Sequence, residues 1–96
     1  MNKLEEMAVR IIKEQEIIMG PIAWSEAERV QGLEVRNRAQ AEVAITDPDQ
    51  KEVLDRLVAQ YERLFGRAAR ESCREAVASL VADLAPSETP ASLIAV

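Results

Sequence analysis

Leu33-Glu34-Val35-Arg36-Asn37-Arg38-Ala39-Gln40-Ala41-Glu42-Val43-Ala44-Ile45 is the stretch whose reading decides between two folds. Leu33, Val35, Ala39, Ala41, Val43 and Ile45 share one parity, and Glu34, Arg36, Arg38, Gln40 and Glu42 share the other. That is the period of a half-buried strand. Asn37 interrupts the apolar parity, and Asn is a good turn former. The stretch is therefore expected to be a β-hairpin, with one arm near 33–36, a turn around Asn37-Arg38 and a second arm near 40–46. Ala, Arg, Gln and Glu are also good helix formers, so the competing reading is one helix from Pro21 to Ile45 with Gly32 inside it. A lone hairpin is barely stable in water and must pack on helices or pair with another chain.

Helical patterns flank the stretch on both sides. Leu4, Met7, Ala8, Ile11, Ile12, Ile18 and Met19 recur at three- and four-residue steps, which predicts a first helix over Leu4–Met19. Gly20-Pro21 breaks it, and a second helix is expected from Pro21 to about residue 31 with Ile22, Ala23, Ala27 and Val30 inward. Ser25 and Glu28 form an alternative capping box for its start. After the hairpin, Thr46-Asp47-Pro48-Asp49-Gln50 signals a helix start, with Asp47 as cap, Pro48 in the first turn and Gln50 reaching back. Helix three then presents Leu54, Leu57, Val58, Tyr61, Leu64 and Phe65 as an apolar stripe. Past Gly66, helix four is expected from Arg67 to Leu84, with Ala69, Cys73, Ala76, Val77, Leu80, Val81 and Leu84 inward, ending before Pro86.

The expected fold is thus α+β, mainly helical, in the order helix–helix–β-hairpin–helix–helix; the alternative is an all-α four-helix bundle. Residues 1–86 are expected to form one domain and 87–96 a flexible tail. The apolar end of that tail, Ser92-Leu93-Ile94-Ala95-Val96, has a second reading as a segment docked on a groove or a partner's sheet edge. Glu16-Ile17-Ile18-Met19-Gly20-Pro21-Ile22-Ala23 echoes Glu62-Arg63-Leu64-Phe65-Gly66-Arg67-Ala68-Ala69. The echo reads either as a duplicated helix–Gly–helix unit or as two corners converging on the same chemistry.

Composition narrows the function. The 96 residues include no His, which removes the commonest general base and metal ligand and rules out Ser–His and Cys–His nucleophile pairs within this chain. Cys73, the one cysteine, falls on the apolar stripe of helix four and is expected as a buried core thiol in a reducing, cytoplasmic setting. Asp47, Asp49 and Glu52 have oxygen-ligand chemistry, yet their spacing suits a helix start better than a Ca²⁺ loop. Glu5/Glu6, Glu14/Glu16 and Glu26/Glu28 look like solvated helix faces. The three isolated glycines make no phosphate loop. No catalytic group, cofactor or metal is expected.

The net charge of −5 argues against nucleic acid and anionic membranes as partners, and no apolar run approaches the roughly 20 residues needed to span a bilayer. Arg63, Arg67, Arg70 and Arg74 would form one basic stripe on a continuous helix, suited to an anion or an acidic protein partner such as helix one of a second copy. The bland alternative is a mixed, solvated face. Trp24 is expected as an anchor, of the core or of an interface. Trp24, Tyr61 and Phe65 are the only aromatic residues, so the core must be built from small contacts and gains from further burial in a homodimer. The expectation is a non-enzymatic, self-associating interaction or regulatory module. The alternative is an accessory domain that binds a small anion or apolar molecule between helices one, three and four.

Overall fold

The computed structural model describes residues 1–94 and resolves the fold in favour of the hairpin. The order is α1 (Lys3–Met19), α2 (Ile22–Ala27), β1 (Leu33–Asn37), β2 (Glu42–Ile45), α3 (Gln50–Phe65) and α4 (Arg67–Val81), followed by single 3₁₀ turns at Pro86–Glu88 and Ala91–Leu93. The protein is α+β and mainly helical, as the alternation at 33–45 predicts.

The two strands pair antiparallel, with Leu33 opposite Ile45, Glu34 opposite Ala44 and Val35 opposite Val43. A bulge follows. Asn37, not Arg36, faces Glu42, so Arg36 is the extra residue. The one-residue shift carries Ala39 out of the buried set and into the exposed connection, where Asn37 Oδ1 accepts from the Gln40 amide at 3.1 Å. Ala41 closes the connection with a left-handed φ of 53°. Leu33, Ala41, Val43 and Ile45 are buried and Val35 is half-buried, so the apolar parity read from sequence faces inward except at Ala39.

Helix α1 starts on a capping box. Asn2 Oδ1 accepts from the Glu5 amide at 2.8 Å and the Asn2 amide donates to Glu5 Oε1 at 2.9 Å. The other Glu5 oxygen, Oε2, accepts from the Ile45 amide at 2.9 Å. Thr46 donates to the Gly32 carbonyl at 2.8 Å, so Leu33 and Ile45 form a pair whose amides point away from each other. Glu5 thereby covers the outer edge of β2.

The α3 start differs from the expected one by two residues. Asp49, not Asp47, is the cap, and its Oδ1 accepts from the Glu52 amide at 3.3 Å. Asp47 instead turns the chain by accepting from the Asp49 amide at 2.8 Å, and its second oxygen lies 3.4 Å from Arg56 Nη1. Helix α2 ends at Ala27 rather than near residue 31. Tight turns with Arg29 donating to Glu26 and Val30 to Ala27 replace its last stretch, bury Val30 and deliver Leu33 into β1. Helix α4 ends at Val81, three residues before the expected Leu84.

Helix α1 lies at the centre. Asn2 Nδ2 donates to Gln50 Oε1 at 3.0 Å at one end, and Tyr61 Oη donates to the Ala23 carbonyl at 2.6 Å at the other. Helices α1 and α3 therefore run parallel, and both finish at the same end of the molecule. Helix α4 returns antiparallel to α1, with Arg10 Nη1 donating to Ser79 Oγ at 3.2 Å and Gln15 Nε2 to Ser72 Oγ at 2.7 Å. Met7, Ile11, Ile12, Leu54, Leu57, Tyr61, Cys73 and Val77 fill the space between these helices.

The segment expected to trail as a flexible tail is instead docked as far as it is described. Pro90 and Leu93 are buried, the Ser92 amide donates to Asp55 Oδ1 at 3.0 Å, and Arg74 Nε donates to the Ser92 carbonyl at 3.1 Å. Burial of two apolar side chains against α3 and α4 offsets the ordering cost of a short segment. Ala95 and Val96 lie outside the described residues. Among the described residues no helix is long and apolar enough to cross a membrane.

Candidate functional site

The two Gly corners are the same structure built twice. Gly20 has φ 76°, ψ −159° and Gly66 has φ 73°, ψ −160°. Gly20 donates to the Glu16 carbonyl at 2.8 Å, Gly66 to that of Glu62 at 2.7 Å, and the amides of Ala23 and Ala69 return to the glycine carbonyls at 3.1 Å each. That backbone region is reserved for glycine. Ala23 and Ala69 are both buried, so the small residue three positions on lets each new helix start close to the core. The sequence echo is thus a repeated corner, and the parallel course of α1 and α3 places both corners at one end.

That end is apolar and open. Ile17 is 80% exposed, Ile18 56%, Ile22 52%, and Leu64 and Phe65 48% each. Sequence reading placed Ile18, Ile22, Leu64 and Phe65 on inward faces, and the structure corrects all four. The reason is geometric. The stripes of α1 and α3 run on to their last turns, but α2 has only six residues and α4 departs at Gly66, leaving nothing to cover them. The sequence did hold a signal. Ile17-Ile18-Met19 occupies three successive helical positions, about 100° apart, which is too wide an arc for one buried stripe.

The four arginines do not share a stripe, because Gly66 ends one helix and begins another. Arg67, Arg70 and Arg74 remain on one face of α4 and line a cleft of about 420 Å³ together with Glu71. Two of them are engaged within the chain. Arg70 Nη1 lies 3.7 Å from Glu62 Oε2, and Arg74 holds Glu71 at 3.2 Å as well as the Ser92 carbonyl. Arg70 Nε is buried with no hydrogen-bond partner. Arg63 points elsewhere, into a second cleft between the chain after α2 and the face of α3, where Arg29 and Arg56 join it. Sequence reading missed Arg29 and Arg56. Arg56 and Arg63 stand seven apart on one helix face, but only tertiary contact brings Arg29 across from them.

Trp24 is 3% exposed, and its Nε1 donates to Glu16 Oε2 at 3.0 Å. It anchors the α1–α2 corner from within, so the reading as an exposed interface anchor gives way to the core reading. The indole N–H requires an acceptor on burial, and Glu16, one turn before Gly20, supplies it. Cys73 is fully buried, and burial pushes its thiol up to about 12; the carboxylates of Glu62 and Glu14 add to the effect and the Gln15 amide opposes it. Burial likewise raises the Tyr61 hydroxyl, and the Glu26 carboxylate adds to the effect. Gln15 is buried between α1 and α4; its Nε2 serves Ser72 and its Oε1 has no partner. Among the described residues no three Asp, Glu or Cys side chains converge as a metal-ligand set.

No protein-family model, curated protein or solved structure matches the chain.

Proposed function

We propose that this chain is a non-enzymatic interaction module that works by self-association, with a second copy seated on the apolar end formed by the two Gly corners. The observation that carries the proposal is the exposure of Ile17, Ile18, Ile22, Leu64 and Phe65 where α1 and α3 finish side by side. Scattered exposed apolar residues are ordinary, but five large ones gathered at one end form the kind of patch that marks an interface.

The charges beside the patch favour a second copy as the occupant. Glu14 stands one turn before Ile18 on α1, and Arg67 stands two residues after Phe65; neither is in an ion pair among the described residues. A two-fold contact sets the acid side of one copy against the arginine side of the other, as self-complementary interfaces require. Thin burial in a domain of this size adds a thermodynamic reason to associate. The most reactive side-chain types point away from chemistry: the thiol of Cys73 is buried and held protonated, and the Tyr61 hydroxyl is spent on Ala23. A reducing compartment, the cytoplasm, suits a chain whose one cysteine is a core residue.

Sedimentation velocity across a concentration series tests the proposal, with Ile18→Lys and Phe65→Lys as variants. Both positions are exposed in the single chain, so the variants are expected to keep the helical spectrum and the low-concentration Tm. The parent chain is expected to associate, and each variant to weaken association by at least about tenfold. A parent chain that stays monomeric up to about 1 mM, or variants that associate as tightly as it does, would overturn the proposal.

A further inference from the structure

We propose that the cleft between the chain following α2 and the face of α3 is a binding site for a small phosphomonoester, with Arg29 and Arg63 taking the phosphate. This goes beyond self-association and uses a different surface. The cleft measures about 420 Å³ and is lined by Arg29, Arg56 and Arg63 with no carboxylate among its lining residues. The chain carries 17 acidic and 12 basic side chains, so a concave surface with three arginines and no acid runs against its composition.

The three guanidiniums are not equivalent. Arg56 is held from behind: its Nη1 donates to the Gln31 carbonyl at 3.0 Å, with Asp47 Oδ2 at 3.4 Å and Glu52 Oε1 3.7 Å from its Nε. Its charge is offset, and it forms a fixed wall. Arg63 is braced through a relay, its Nη2 donating to Gln60 Oε1 while Gln60 Nε2 donates to Glu26 Oε1. Arg29 and Arg63 are in no ion pair among the described residues. Two guanidiniums without a direct ion-pair partner match the charge of a phosphomonoester, about −1.5 to −2 at neutral pH, and their planar forks suit its oxygens. Ala59, between Arg56 and Arg63 on α3, offers only a methyl group and leaves room for the phosphate to reach the helix face. The volume lies within the range of about 300–1,000 Å³ typical of small-molecule sites, which accommodates an organic body beside the phosphate. The neighbouring arginine cleft on α4 fits less well: Glu71 lines it, and Arg70 and Arg74 are already paired.

Amide-resolved NMR titration of the full chain at low ionic strength tests the assignment, with glycerol 3-phosphate and inorganic phosphate as probes and sulfate and glycerol as references. Saturable shifts at Arg29, Gln31, Ala59 and Arg63 are expected, with glycerol 3-phosphate saturating at lower concentration than sulfate and glycerol inert. Inorganic phosphate saturating as readily as glycerol 3-phosphate would show that the cleft does not hold the organic body, and would overturn a phosphomonoester site. Arg29→Gln and Arg63→Gln are each expected to weaken binding by about tenfold, the loss of a charge-assisted contact, while Arg67→Gln leaves it unchanged. Both substituted side chains are exposed, so unchanged amide spectra elsewhere will show that the variants are folded. The proposal fails if sulfate matches the phosphate probes, if the shifts centre on Arg67, Arg70 and Arg74, or if neither substitution at Arg29 or Arg63 alters the titration. Arg29 lies in the chain after α2, outside the last turns of α1 and α3, so Arg29→Gln is expected to sediment as the parent does, and either proposal can fail with the other intact.

Discussion

Cys73 shows how far a single residue's environment determines its chemistry. It sits at the α1–α4 contact beside Gln15, fully buried, with its thiol pushed up to about 12. Only the thiolate reacts with alkylating agents. Iodoacetamide labelling at mildly alkaline pH is therefore expected to be at least about a hundredfold slower in the native protein than in urea; equal rates would mean that α4 does not shield the thiol. The residue type and its place on the apolar stripe made Cys73 legible in the sequence. Gln15 was not: nothing in its local pattern separates a buried amide from a solvated one, since the distinction depends on where α4 crosses. The same holds for Arg29, whose partners across the cleft are 27 and 34 positions away in the chain.

At the scale of elements, Glu5 joins two structures that periodicity treats separately. One carboxylate oxygen completes the α1 capping box and the other receives the Ile45 amide on the edge of β2. Those hydrogen bonds from Asn2 and Ile45 hold its carboxyl below the usual value of 4.5. With the folded pKa depressed, the unfolded chain binds more protons in the intervening range. The Glu5 contribution is thus fully present above the unfolded value and is lost as pH falls through the folded one. Urea unfolding from about pH 7 down to pH 3 should show this loss. Glu5→Gln is expected to cost about 1 kcal/mol at neutral pH and to flatten that part of the profile; an unchanged profile would remove Glu5 from the link between α1 and the hairpin. The hairpin itself was legible because a strand's period of two survives in sequence. Its bulge at Arg36 was not, because register is set by the partner strand and by the helix beneath.

At the scale of the whole molecule, the C-terminal segment closes over α3 and α4 through Leu93, Pro90 and the Asp55–Ser92–Arg74 contacts. Leu93→Ala is expected to lower stability by about 2–3 kcal/mol in urea or thermal unfolding. A change below about 0.5 kcal/mol would place the segment outside the cooperative unit. By itself, the sequence determined the helices on either side of the 33–45 stretch, favoured a hairpin within it, and fixed the two glycine corners, the buried thiol and the lack of histidine chemistry. These depend on local period, backbone restriction and residue type. Only the tertiary structure decided which ends of the stripes stay uncovered, that Trp24 belongs to the core, that the arginines divide between two clefts and that the segment after Pro86 packs. Each of those depends on which helix runs beside which, and for how many turns, and no local pattern encodes the length of a neighbour.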